Sequence, residues 1–275
     1  MFEALAEKYR SFALKSKTEI NVEKYNAPAL SKGLDILELL ATKSEGMKKS
    51  EIASELKRSV SEIFRMLAVL TDRGYVGIDP LSEKYTLTLK MFEQAHKNPP
   101  IKRLTNVAAH LMADLAVRLN QSVHLAVLYG SNILVIAQND PPGNNVTSVR
   151  LGARVPITLT ASGAALVSHI PKHRRAEICA GVEFATLDHK TVFEESVDQV
   201  ISTGVCVSPS MVIEGVQNIS VPIFDYSGLV VASLTIPYIQ RLISTNDPDL
   251  DEAKTALAET GQNISIQLGV GVSTQ

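Results

Sequence analysis

The sequence predicts an α+β chain in two parts, a winged helix-turn-helix followed, through a connecting helix, by a sheet domain. Three observations carry this. Residues 50–76, SEIASELKRSVSEIFRMLAVLTDRGYV, read as two short helices joined by a tight turn and followed by a β-rich segment. Residues 101–120 hold a sustained helical apolar period. From residue 121 the pattern changes to short strand-like runs separated by turn residues and helical stretches.

The elements follow in chain order. Residues 1–26 read as a helical extension, because Phe2, Leu5, Tyr9 and Phe12 recur at helical spacing. Its apolar stripe can pack on the protein's own core or on a second subunit. Ser31 is a candidate N-cap for the next helix, with Leu34, Ile36, Leu37, Leu39 and Leu40 on its buried side, and Gly46 marks the break after it. Ser50 can cap a second helix with Ile52, Ala53 and Leu56 inward. Ser59 or Ser61 can cap a third, with Ile63, Met66, Leu67 and Leu70 inward and Gly74 at its end. Tyr75–Val76, a turn at Asp79–Pro80 and Lys84–Leu87 read as two strands around a wing.

Leu87–His96 reads as helical, interrupted by Asn98-Pro99-Pro100. The helix of residues 101–120 presents Leu104, Val107, Ala108, Leu111, Leu115 and Leu119. SVHLAVLYG and NILVIAQND form a hairpin about Gly130-Ser131-Asn132, and VTSVRL reads as a further strand. Ala161–Ile170, Lys172–Ala180 and Val192–Thr203 read as helices; Gly204–Ser208, Ile219–Asp225 and Leu229–Pro237 read as strands. A helix over Asp249–Gln267 closes the chain. There is no internal repeat.

Composition bounds the function. The 275 residues suffice for a buried core and two domains, and 45% hydrophobic with 20% charged residues is ordinary for a soluble protein. No apolar run has membrane-spanning length, and MFEALAEKYRSFALKSK lacks a secretory h-region, so a cytoplasmic protein without a membrane partner is expected. Two cysteines, Cys179 and Cys206, read as reduced thiols. The net charge is −2. Residues 27–100 carry eleven Lys/Arg against ten Asp/Glu, whereas residues 120–275 carry eight against fourteen. A nucleic-acid face must therefore come from local placement of Arg and Lys.

The ordered set ALSKGLDILELLA, EIASELKRSVSEIFRMLAVLTDRGYV, KYTL, LNQSVHLAVLYG, VRLGARVPITLTASGAAL, VISTGV and EGVQNISVPIFDYSGLVVASLTIP resembles the IclR-type transcriptional regulators over about residues 29 to 240. The resemblance implies a winged helix-turn-helix joined by a linker helix to a GAF-like α/β effector-binding domain. It places the parts at 1–26 (extension), 27–90 (DNA-binding domain), 91–120 (linker helices) and 121–275 (effector binding and oligomerisation). It further implies a homodimer or homotetramer on palindromic double-stranded operator DNA, controlled by an organic acid or aromatic metabolite.

Base reading needs side chains at the exposed start of the third helix, here Arg58, Ser59, Ser61, Glu62 and Arg65. Arg58 and Arg65 can grip guanine or phosphate, and Ser59 and Ser61 suit phosphate. Ser82 and Lys84 of the wing are expected on the DNA backbone or minor groove. Glu62 and Phe64 depart from the family, where a small hydroxyl residue and a His or Tyr are usual. A carboxylate at Glu62 repels phosphate or accepts from a cytosine amine.

For the effector, the resemblance points to Val155, Ala161, Gly163, Ala164, Ser208, Asn218, Ser233 and Thr235. Gly163 and Ala164 open a helix, so their amides either meet a carboxylate or permit close helix–sheet packing. Ser233 and Thr235 share a strand face, towards a pocket or towards solvent. No carboxylate stands in Ser208–Met211, where family members use one.

No catalytic role, cofactor or metal is expected. The six histidines, at 96, 110, 124, 169, 173 and 189, show no metal-ligand spacing, and there is no G-x-S-x-G, P-loop or dinucleotide fingerprint. His124 lies within an apolar strand and reads as a core residue. Two rivals stand beside the regulator: a DNA-binding protein whose second domain only oligomerises, and an enzyme with a fused DNA-binding domain.

Overall fold

A computed structural model describes residues 27–143, 146–180, 187–241 and 247–271. The expectation for residues 1–26 falls outside them. The described residues form two compact units, one up to Lys102 and one from Arg103 onward.

The first unit begins with α1 (Pro28–Leu40). Proline sits in its first turn, where a missing N–H costs nothing, so the helix starts before Ser31 rather than at it. Ile36, Leu37 and Leu40 face inward. Gly46 has φ +66°, and a Cβ there would lie 2.7 Å from the Tyr85 carbonyl oxygen. Glycine thus lets the chain bring β1 (Met47–Lys48) against β3 (Lys84–Leu87), a pairing too short for the sequence to announce.

The Glu51 carboxylate accepts the Lys48 amide at 2.6 Å, so α2 (Lys49–Glu55) starts at Lys49 and not behind a Ser50 cap. Ser59 caps α3 (Val60–Asp72), which decides between Ser59 and Ser61. Gly74 then turns the chain into β2 (Val76–Ile78), giving a sheet of order β1-β3-β2. Ile36, Ile52, Ile63, Leu67 and Val76 form the shared core.

Leu87 stays in β3 opposite Val76, and the Thr88 hydroxyl accepts the Lys90 amide. The helix expected from Leu87 therefore begins only with α4 (Lys90–His96). Pro99 and Pro100 do not merely interrupt; they open α5 (Pro99–Leu119).

In the second unit α5 buries Leu104, Ala108, Met112, Leu115, Ala116 and Leu119, with Val107 and Leu111 half-buried beside them. An antiparallel sheet has the order β6-β5-β4-β9-β8-β7. Its strands are β4 (Val123–Tyr129), β5 (Asn132–Asn139), β6 (Arg154–Pro156), β7 (Cys206–Pro209), β8 (Gln217–Phe224) and β9 (Val230–Tyr238). VTSVRL is not a strand. The chain joins the sheet edge only after a turn at Gly152, where the Val135 amide donates to the Ala153 carbonyl.

Alternation gives the sheet two unlike faces. Leu125, Leu234, Ile236, Ile219, Val221 and Ile223 pack with α5 and with α9 (Leu250–Gln267). The other face meets α6 (Ala161–Val167), a helix shorter than expected, and α6 packs in turn on α8 (Leu187–Thr203). Between them in sequence lies α7 (Lys172–Cys179).

Gly163 of α6 has no room for a side chain: a Cβ would lie 2.0 Å from the Ile157 carbonyl oxygen and 2.6 Å from its carbonyl carbon. Both contacts are backbone, so relief requires moving the helix. Gly163→Ala is expected to destabilise this unit by roughly 1–3 kcal/mol in chemical denaturation. Gly33→Ala on α1, where nothing lies within 4 Å of the added carbon, is expected to be neutral or stabilising by under about 1 kcal/mol.

Candidate functional site

Two clusters stand out, one in each unit. The first is the outer side of α3. Ile63 and Leu67 are buried, which turns Ser61, Phe64, Arg65 and Ala68 outward. The helix start is held by a reciprocal cap: the Glu62 amide donates to Ser59 Oγ at 3.3 Å, while the Ser59 amide donates to Glu62 Oε2 at 3.1 Å. The Ser59 hydroxyl also donates to Glu62, at 2.8 Å. Lys32 Nζ of α1 bonds Glu62 Oε1 at 2.5 Å. The Lys32 ammonium first, and the Ser59 donors next, hold the Glu62 carboxyl down at about 2.

In this structure the Glu62 carboxylate is engaged by the helix cap and by Lys32. Ser59 is likewise engaged. Arg58 is exposed and reaches Asp35 of α1 at 3.2 Å. Arg65 makes no ion pair among the described residues. In the wing, Ser82 is half-buried and donates to Asp79 Oδ2 at 2.7 Å, and Lys84 is half-buried in β3. The Leu81 amide and then the Ser82 hydroxyl hold the Asp79 carboxyl below its usual range.

Lys49 escaped the sequence reading, and Phe64 entered it only as a departure from the usual His or Tyr. Phe64 is 53% exposed. Lys49, at the start of α2, holds its ammonium 5.2 Å from the centre of that ring. The helical spacing of Phe64 from Ser61 was the available signal.

The second cluster is a row of buried hydroxyls on the sheet face under α6. His124 Nε2 lies 3.2 Å from Ser162 Oγ, Ser162 Oγ 2.9 Å from Thr235 Oγ1, and Thr235 Oγ1 2.8 Å from Ser220 Oγ. Register explains the line-up, since Thr235 pairs with both His124 and Ser220 across β9. Burial pushes the His124 imidazole down to about 4, so it is neutral near pH 7. Buried oxygens of Ser122, Thr158 and Ser233 and His124 Nδ1 have no hydrogen-bond partner among the described residues.

A cavity of about 20 Å³ adjoins this face, lined among others by Thr158, Thr160, His189, Ser196, Ser208 and Met211. That is room for about one water. Among the described residues its lining carries no Lys, Arg, Asp or Glu.

The expected effector residues separate. Ser208 lines the cavity and faces Asn218 across β7–β8. Ser233 and Thr235 are fully buried, not solvent-facing. Ala161, Gly163 and Ala164 are buried in α6, and the Gly163 and Ala164 amides are taken by Thr160 Oγ1 and the Thr160 carbonyl. Close packing, not carboxylate binding by those two amides, accounts for the small residues. Val155 lies on β6, at the opposite end of the strand order from Ser208, in an apolar cluster. Among the described residues no cluster of His, Cys, Asp or Glu is arranged to hold a metal ion, and no helix is long and apolar enough to cross a membrane.

Comparison with known proteins follows the same division. Residues 29–80 match the IclR helix-turn-helix domain, and residues 101–266 match the bacterial transcriptional regulator IclR C-terminal family. The chain is 31% identical over 225 residues to the HTH-type transcriptional regulator KdgR of Dickeya chrysanthemi, covering 80% of this chain and 73% of that one. The crystal structure of the Thermotoga maritima IclR aligns with a TM-score of 0.70 at 25% identity, over 87% of this chain and 98% of that one. An IclR homolog from Microbacterium hydrocarbonoxydans, complexed with 4-hydroxybenzoate, shares the fold with a TM-score of 0.72 at 20% identity, over the same 87% and 98%.

The cap at Glu62 has a pH signature. A depressed carboxyl stabilises the fold above its ordinary value and loses that contribution as it protonates. The melting temperature of the first unit in wild type is expected to exceed that of Glu62→Ala above about pH 4.5, with the gap closing as pH falls towards about 2. Thermal melts across that range check it.

Proposed function

The chain belongs to the IclR family of bacterial transcriptional regulators, and we propose that it reads operator DNA through α3 and tunes that affinity by a small molecule held in the second unit. The observation that carries the reading is the capped α3, whose outward side bears Ser61, Phe64, Arg65 and Ala68 while its carboxylate is turned away.

In this reading residues 27–90 are the DNA-binding domain, 91–120 the linker helices and 121–275 the effector and oligomerisation domain. Arg65 grips a guanine edge or a phosphate. Ser61 and Arg58 contact phosphate, Arg58 by leaving Asp35, and Lys84 with Ser82 brings the wing to the backbone. A homodimer or homotetramer presents two such helices to a palindromic operator, in the cytoplasm.

The effector enters between α8 and the hydroxyl-bearing sheet face. Ser208, Asn218, Ser233 and Thr235 supply polar contacts, and Ala161, Gly163 and Ala164 bound the apolar walls. Support comes from the buried oxygens of Thr158 and Ser233, which lack partners among the described residues and which a bound polar molecule satisfies. The 4-hydroxybenzoate in the Microbacterium homolog supports an aromatic or organic acid. A cavity of about 20 Å³ has to widen for any such ligand, so binding selects an opened arrangement. The same small cavity favours the second reading, in which this domain only oligomerises. No catalytic step is assigned.

The test is binding of the purified chain to the intergenic region beside its own gene at two salt concentrations. Wild type is expected to prefer that duplex over random DNA and to weaken as salt rises. Arg65→Ala is expected to lose roughly ten- to a hundredfold in affinity. Equal binding of random and intergenic DNA by folded protein would overturn the reading.

A further inference from the structure

We propose that Phe64 reads the C5-methyl group of a thymine in the major groove, making it a specificity-determining residue of this chain. The inference rests on α3 being the DNA-reading helix.

Phe64 lies between Ser61 and Ala68 on one side of α3, three residues from one and four from the other, with Arg65 beside it. Its neighbours Ile63 and Leu67 are buried, yet its own ring is 53% exposed. Val60, one turn earlier, is also 44% exposed. The core of this unit is complete without the ring. Leu81 and Leu89 are exposed more fully than Phe64, so what distinguishes the ring is its place on the outward side of α3.

The surroundings select the occupant. The ring is held by the Lys49 ammonium, 5.2 Å from its centre. Arg65 is exposed next to it, and Glu62 is turned to Lys32. An apolar ring framed by cations with the nearby carboxylate withdrawn suits a polyanion that carries an apolar group. A second copy of the same face would bring Lys49 and Arg65 against their own counterparts. Duplex DNA supplies the anion, and its major groove presents one apolar group on the base edges, the thymine methyl. A phenyl ring has no donor or acceptor for the other edges, whereas it can pack directly on that methyl.

The experiment selects bound sequences from a random duplex pool with the full-length chain. Each enriched thymine is then replaced singly by deoxyuridine, which removes the methyl and keeps the pairing. For wild type, one position per half-site is expected to lose roughly three- to tenfold in affinity. Phe64→Ala, with its melting temperature checked, is expected to bind the thymine and deoxyuridine duplexes equally. Phe64→Leu, which keeps an apolar side chain, is expected to retain part of the discrimination. An enriched motif with no deoxyuridine penalty, or a penalty that persists in Phe64→Ala, would overturn the assignment of Phe64 alone. A folded protein that enriches no sequence would overturn the DNA-reading premise, and the assignment with it.

Discussion

The disposition of the Glu62 carboxylate is the constraint on which the recognition surface depends. A helix start leaves backbone N–H groups without partners, and a carboxylate near it either caps them or faces whatever the helix faces. Here it caps. Glu62 accepts from the Ser59 amide and hydroxyl on its own helix and from Lys32 on α1. Such an exposed ion pair adds little net stability. Its value is geometric: α3 is tied to α1 at its start, and Arg58 repeats the tie through Asp35. With the negative charge drawn inward, the outward side is left to Ser61, Phe64, Arg65 and Ala68.

The sheet unit is organised by a different tension. Along β8 and β9 the residues on one face are Ile219, Val221, Ile223, Leu234 and Ile236, while the other face carries Ser220, Ser233 and Thr235. The first set makes an ordinary apolar core with α5 and α9. The second is buried equally deeply and only partly satisfied by its own hydrogen bonds. Each buried oxygen without a partner costs about 1–3 kcal/mol. A chain selected for stability alone would place apolar residues there. Retaining hydroxyls, with a neutral His124 at the end of the row, makes sense for an interior that opens to a polar guest.

Much of this was legible in the sequence. Helical spacing located α1, α3, α5 and α9, and alternation located β4, β5, β8 and β9. The misplacements share a cause, the choice among several local possibilities by tertiary contacts. Ser31 and Ser50 are sound caps in isolation, but Pro28 and the Glu51–Lys48 bond start those helices earlier. VTSVRL has strand composition, yet the chain reaches β5 only after Gly152. The spacing of Ser59 and Glu62 is itself a capping signature, and the structure forms that cap. The hydroxyl row was half visible: period two gives Ser233 with Thr235, but Ser220, Ser162 and His124 join only through strand register and the position of α6. The tight approach at Ile157, which fixes glycine at 163, depends on a backbone path that no local pattern announces.

Amide hydrogen exchange of the full chain, with and without bound duplex from its own upstream region, tests the central claim most directly. The account predicts slowed exchange across residues 59–68, the cap and outward turns of α3, on DNA binding. Unchanged exchange across those residues while the duplex is demonstrably bound would contradict it and assign DNA contact to another part of the chain.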